Sequence, residues 1–430
     1  MEIMKKNRVW GLLALFSLLL LLTACRQGAA QQSDSTAPVK ITYWHRMTGT
    51  YAKSLDKLIN QFNASQKKYR VVATSQGSYN TLQQKIMAAG KSNTLPTMAQ
   101  TPYTNIGDYV QQKLLLPFDA EMLNGTNKLS STELNAIYPN FLAAGRYDDR
   151  YYALPFSVST VILFYNQKLM TKYHIAMPKT WADFATAQTK LQGTKIHALA
   201  LDRSYDVVLE GLAYDAGSQL ITPNLKLNLN ASKTLNAVQQ ILSFQKDGVL
   251  QTAAEDQYFN VPFVNGQAVF GIGSSATIPV LTQQAPKSLQ WGTALVPTYA
   301  GQRNNPLNGN YNVLFRGASK QQQAGAWAFQ KFLLATPNAA QWAIDSGYVP
   351  VTKAAANSAT FKKYLKANPT YQAALSATPQ GFVSTVFTGY NDYRTALMNA
   401  VDATLAKHTS GKSAFDALQK QTQTILKQAD

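Results

Sequence analysis

The chain has 430 residues, 46% of them apolar and 14% charged, with a formal net charge of +18. That apolar share supports buried cores and excludes a disordered chain, while a single cysteine excludes a disulfide scaffold. The basic excess admits nucleic acid, an anionic surface or an anionic ligand, but the lysines are scattered singly, so the charge reads as solvated surface.

At the amino terminus Lys5, Lys6 and Arg8 precede an apolar block from Trp10 to Leu22, shorter than the roughly 18 to 20 residues that span a bilayer. This is a secretion signal rather than a permanent span. It ends in Leu22-Thr23-Ala24-Cys25, which resembles the bacterial lipobox, where the cysteine sulfur is acylated and the residue becomes the first of the mature chain. An ordinary signal peptide with a chance cysteine is the alternative, but a lone exported thiol has no intrachain partner to explain it. The reading is therefore a lipoprotein signal peptide over 1–24, lipid attachment at Cys25 and a disordered tether over 25–39, rich in Ala, Gln, Ser and Pro. It implies an exported protein anchored to the outer face of the cytoplasmic membrane, where nucleic acid is not an expected partner.

The rest, roughly 390 residues, exceeds one ordinary core and predicts two lobes. Ile41-Thr42-Tyr43-Trp44 alternates like a strand, Leu55, Leu58, Ile59 and Phe62 mark one face of a helix, and Arg70 to Thr74 reads as a second strand. Helical spacing recurs at Leu82 to Ile86, Phe184 to Leu191, Leu235 to Phe244, Trp327 to Leu334 and through the last forty residues. Strand-like runs lie between, at Val161 to Tyr165, Ala268 to Ile272 and Gly292 to Val296. Alternation of this kind predicts an α/β protein with mainly parallel sheets flanked by helices. Pro-, Gly- and Asn-rich crossings near Leu154 to Ser157, Thr298 to Asn310 and Val349 to Thr352 are the expected hinge.

Catalytic signatures fail. Gly273-Ser274-Ser275-Ala276-Thr277 lacks the closing glycine of a nucleophile elbow, and Gly411-Lys412-Ser413 lacks the first glycine of a phosphate loop. His45, His174, His197 and His408 show no metal-ligand spacing, so no metal and no cofactor are expected. A secreted hydrolase such as a glycosidase stays open at this stage, because it needs only two carboxylates whose separation a sequence does not display.

Four ordered stretches carry a resemblance over nearly all of the mature chain. They are Tyr152-Ala153-Leu154-Pro155-Phe156 with Phe164-Tyr165-Asn166, then Pro178-Lys179-Thr180-Trp181, then Phe263-Val264-Asn265-Gly266-Gln267-Ala268, and Gly347-Tyr348-Val349-Pro350-Val351. Their order resembles family 1 extracellular solute-binding proteins, the ligand-capturing lipoproteins of ABC importers. The resemblance implies a type II periplasmic-binding-protein-like fold with discontinuous domains: 40–153 and 308–349 in one lobe, 154–307 and 350–430 in the other. It also implies a monomeric carrier that is no enzyme and hands a small polar solute to ABC permease subunits.

Within the family, Trp44-His45-x-Met47-x-Gly49 and Gln76-Gly77-Ser78-Tyr79 are most similar to the binding proteins for sn-glycerol 3-phosphate and glycerophosphodiesters. That likeness implies ligand contacts from Tyr79, Ser159, Ser274, Tyr348 and Arg394, the arginine gripping phosphate oxygens. Two further implied positions depart from the pattern: Tyr103 stands where those relatives carry a glutamate, and Asn310 where they carry the second glycine of a pair. Tyr103 has an aromatic face for a choline-like head group or a sugar, so a glycerophosphodiester or an oligosaccharide remains open as the ligand.

Overall fold

The computed structural model describes residues 37–252, 258–407 and 409–429; the signal segment, Cys25, most of the tether and His408 lie outside the described residues. The first strands are β1 (Val39–His45), β2 (Tyr69–Ser75), β3 (Met98–Pro102), β4 (Leu115–Leu116), β5 (Arg146–Tyr147), β6 (Arg150–Tyr151) and β7 (Ala153–Asn166). After them come β8 (His197–Leu201), β9 (Leu250–Thr252), β10 (Ala268–Ser274), β11 (Trp291–Ala294), β12 (Asn305–Phe315) and β13 (Gly381–Phe382).

Local patterning produced the first unit as expected. β1 alternates, burying Ile41, Tyr43 and His45, and the helix Gly49–Ser65 buries Leu55, Leu58, Ile59 and Phe62, the stripe that three- and four-residue spacing puts on one face. β2 then pairs parallel to β1 with Ile41 opposite Val71, completing a β-α-β unit.

The main sheet runs β2-β1-β3-β12-β7-β10-β8-β9, with β11 on β7 and with β4 and β13 on β12. Parallel pairing occupies its two ends, β2-β1-β3 and β10-β8-β9. Its centre is antiparallel, because β7 carries the chain one way between the two ends and β12 carries it back. The first half of β7 bonds β12 and its second half bonds β10 and β11. From Ala153 to Phe164 every residue of β7 is buried, as a strand covered on both faces requires.

The crossing is tight. A Cβ on Gly309 would stand 2.3 Å from the Ser157 carbonyl oxygen and 2.8 Å from the Val158 Cα, so only glycine lets the two backbones approach. One residue further, the register of β12 against β7 shifts between Asn310 and Tyr311, while its register against β3 runs on unbroken. A third crossing follows the helix Thr336–Ser346, which ends at Gly347 in the left-handed conformation, and the Val349 amide donates to the Val158 carbonyl at 2.8 Å. All three expected hinge stretches thus meet along β7.

Two apolar cores share this junction, β7 giving Leu154, Phe156, Ile162 and Phe164 to one and Val161 and Leu163 to the other. One gathers Ile41, Tyr43, Leu55, Phe141, Trp327 and Trp342; the other gathers Leu163, Leu199, Leu209, Phe244, Phe270 and Phe415. Residues after 350 are shared between them: Phe361, Tyr371 and Ala374 pack into the first core, Phe387, Tyr393 and Leu418 into the second.

Candidate ligand site

Three of the seven residues named from the sequence converge where β1, β10 and the third crossing meet. Tyr348 is buried, with its ring stacked on Trp342 at a centroid distance of 6.2 Å and tilted against Tyr51 at 6.2 Å. The Tyr51 hydroxyl donates to the Ala276 carbonyl at 2.6 Å, and the Ala276 amide donates to the Ser274 Oγ at 3.2 Å. Tyr79 opens the helix Tyr79–Ser92 beside them, half-buried, with the Arg46 guanidinium 4.5 Å above the centre of its ring.

Arg46 is the centre of this group. Burial pulls its pKa down, but the net direction is up, with Tyr79 accepting a hydrogen bond from the guanidinium, and it stays a cation. Its Nε is buried without a hydrogen-bond partner among the described residues. Burial pushes Tyr51 up to about 12 and raises Tyr348 well above the phenol range, so both remain neutral hydroxyl donors.

Orphaned polar atoms continue from Arg46 onto the crossing strands. Gln100 on β3 uses its Oε1 to accept from the Arg46 amide at 3.4 Å, while its Nε2 is buried and unpaired. Thr160 Oγ1 on β7 and both side-chain polar atoms of Asn310 on β12 are also buried without partners. Buried polar atoms without a partner are few in native structures, and each calls for an explanation. Ser159, another of the seven, is buried on β7 and donates to the Asn308 carbonyl at 3.4 Å.

Tyr103 and Arg394 form a second group. Tyr103 is 3% exposed, its ring edge-on to Tyr311 at 5.6 Å. Its hydroxyl donates to the Leu307 carbonyl at 3.3 Å and accepts from the Ser384 amide at 3.0 Å. Its face is covered and its donor is used, which is not the open platform a head group would stack on. Arg394, on the helix Tyr390–Lys407, forks onto Asp206: Nε donates to Oδ2 at 2.6 Å and Nη2 to Oδ1 at 3.2 Å. Burial lowers its pKa, and the Asp206 carboxylate more than reverses this. One turn along from Asp206, Glu210 accepts from the Ser384 hydroxyl at 2.7 Å, and burial pushes it up to about 7.

Sequence reasoning passed over Arg46, Tyr51, Gln100, Thr160 and Tyr258. The signal available for Arg46 was its place: it fills the variable position of Trp44-His45-x-Met47, at the carboxyl end of β1, where ligands of α/β sheets are held. His45 beside it is a structural histidine, its Nδ1 accepting from the Met47 amide at 3.2 Å and burial lowering its pKa.

A family model described as bacterial extracellular solute-binding protein matches residues 57–374. The sn-glycerol-3-phosphate-binding periplasmic protein UgpB of Shigella flexneri is 24% identical over 367 residues, 81% of this chain and 82% of its own. Among solved structures, UgpB from Mycobacterium tuberculosis in complex with glycerophosphocholine superposes with a TM-score of 0.81 at 20% identity, over 91% of this chain and 99% of its own. The cyclic alpha-maltosyl-1,6-maltose binding protein from Arthrobacter globiformis gives 0.79 at 21% identity, over 91% and 100%. At these identities the superpositions speak for the two-lobed fold. Among the described residues no helix is long and apolar enough to cross a membrane.

Proposed function

The chain belongs to the bacterial extracellular solute-binding proteins, and from that premise we propose that it captures a glycerol-phosphate-type solute, glycerol 3-phosphate or a glycerophosphodiester, between its two lobes. As a solute-binding protein of an ABC importer it delivers a small solute to a membrane permease and is not an enzyme, which closes the hydrolase alternative. The observation that carries the ligand reading is the meeting of Tyr79 and Tyr348 around the half-buried Arg46, with Ser274 linked to them through Ala276 and Tyr51. The named ligand of the UgpB relatives points the same way.

The mechanism is lobe closure. β7, β12 and the Gly347–Thr352 crossing flex together, ligand binds the closed form better, and the population shifts toward the form presented to the permease. Lipid attachment at Cys25 with 25–39 as tether would hold the monomeric carrier at the outer face of the cytoplasmic membrane, at high effective concentration beside its permease.

An oligosaccharide is the second reading, favoured by the phenol faces of Tyr51, Tyr79, Tyr258 and Tyr348 gathered near Arg46. Thermal melting with each candidate separates the two. A true ligand at one hundred times its dissociation constant adds about 2.7 kcal/mol of stability. Stabilisation by maltotriose and none by sn-glycerol 3-phosphate or glycerophosphocholine refutes the glycerol-phosphate reading.

A further inference from the structure

We propose that Arg46, rather than Arg394, is the cation that takes the anionic group of the ligand, in a subsite completed by Tyr79 and Tyr348. The assignment rests on the reading that the solute seats among Tyr79, Ser274 and Tyr348.

The charge balance of the two arginines differs. Arg394 already donates twice to Asp206, so its charge and two of its donors are satisfied within the fold. Around Arg46, among the described residues, no carboxylate comes within ion-pairing distance. A guanidinium partly withdrawn from water, as the half-buried Arg46 is, gains from a counter-charge as well as from hydrogen-bond acceptors. The surrounding phenols supply hydroxyls but no charge, since Tyr51 and Tyr348 are held neutral. A neutral sugar would leave that deficit; an oxyanion removes it.

The geometry suits a phosphoryl oxygen. The Nε of Arg46 has no hydrogen-bond partner among the described residues, and Arg46, directly after β1, is tied to β3 by the bond from its amide to Gln100 Oε1. A guanidinium offers a planar fork that matches two phosphoryl oxygens at once. The helix Tyr79–Ser92 begins beside the ring on which Arg46 lies, adding the positive end of a 14-residue helix to the same field.

Isothermal titration calorimetry on the purified protein tests this with sn-glycerol 3-phosphate, glycerophosphocholine and, as an uncharged comparator, maltotriose. Arg46→Gln is expected to weaken the phosphate-bearing probe by about 30-fold or more, the loss of a charge-assisted pair. Arg46→Lys keeps the charge without the fork and should lose about 5- to 10-fold, which reports on the site even if the glutamine variant folds poorly. Arg394→Gln should lower the melting temperature while changing the dissociation constant less than about threefold. Wild-type binding that neither Arg46 variant weakens overturns the Arg46 assignment and leaves the carrier reading standing. A wild-type protein that binds maltotriose and neither phosphate-bearing probe overturns the assignment together with the glycerol-phosphate reading.

Discussion

Substituting Gly347 by alanine probes the joint between the hinge and the ligand site. Gly347 closes the helix Thr336–Ser346 at φ +73° and is followed at once by Tyr348. A Cβ there would stand 2.5 Å from Pro279 Cδ and 2.9 Å from Pro279 Cγ, a ring that has no rotamer to escape into, and 3.1 Å from the Ser275 carbonyl oxygen. The left-handed backbone costs a non-glycine residue about 1–2 kcal/mol. Forcing apart a packed contact adds about 1–3 kcal/mol. The expected loss is thus about 2–5 kcal/mol, read as the shift of the urea midpoint at unchanged slope. Gly301→Ala is the matched control, because it has φ +77° with nothing within 4 Å of the added carbon, and should show the backbone cost alone. The clash falls on the residue next to Tyr348, so ligand affinity should fall for the Gly347 variant and not for the control. Equal destabilisation by the two substitutions would refute the packing account.

Two further perturbations address the Asp206–Glu210 helix. Glu210 holds its proton up to about pH 7 when folded, whereas an unfolded glutamate releases it near 4.3, so stability should fall as pH rises from about 4.5 to 7 and level off above. Asp202, also pushed up to about 7 by burial, adds a similar slope. Glu210→Gln should therefore reduce the fall measured by denaturant titration across that range without abolishing it; a fall that is unaltered in Glu210→Gln assigns it elsewhere. Asp206→Asn strips Arg394 of its counter-charge, and a broken buried pair costs about 3–5 kcal/mol. Because the Arg394 side chain is 43% exposed, water screens part of this, and about 1–3 kcal/mol is expected in a thermal melt. A loss under about 0.5 kcal/mol would mean that water already supports the guanidinium.

Elements carried by local periodicity were legible beforehand. The stripe Leu55, Leu58, Ile59 and Phe62 predicts its helix from spacing alone, and the helices Ser232–Lys246 and Lys320–Leu334 contain their predicted apolar runs. β7 was less legible: Val161 to Tyr165 read as a short strand, while the observed strand begins at Ala153. Residues such as Ser157 and Ser159 interrupt the apolar run, and only pairing with β12 makes them interior. The candidate site divided for a similar reason. Tyr79, Ser274 and Tyr348 carry the phenol and hydroxyl chemistry that the resemblance implies; the two tyrosines flank Arg46, and Ser274 accepts from the Ala276 amide at the end of β10. Arg394 carries the right charge, but no spacing reveals that Asp206, 188 positions away, occupies its fork.

What the sequence determined by itself was the class of molecule: short-range periodicity dictates helices and strands, their alternation dictates an α/β sheet, and the ordered motifs dictate the family. Tertiary structure alone decided which of the two arginines has a carboxylate partner within the fold. Whether a guanidinium is available to a ligand depends on whether a carboxylate from elsewhere in the chain has reached it first. Arg394 has met Asp206, and Arg46 meets phenols. That difference is a matter of distances between remote segments, which composition and spacing leave unspecified.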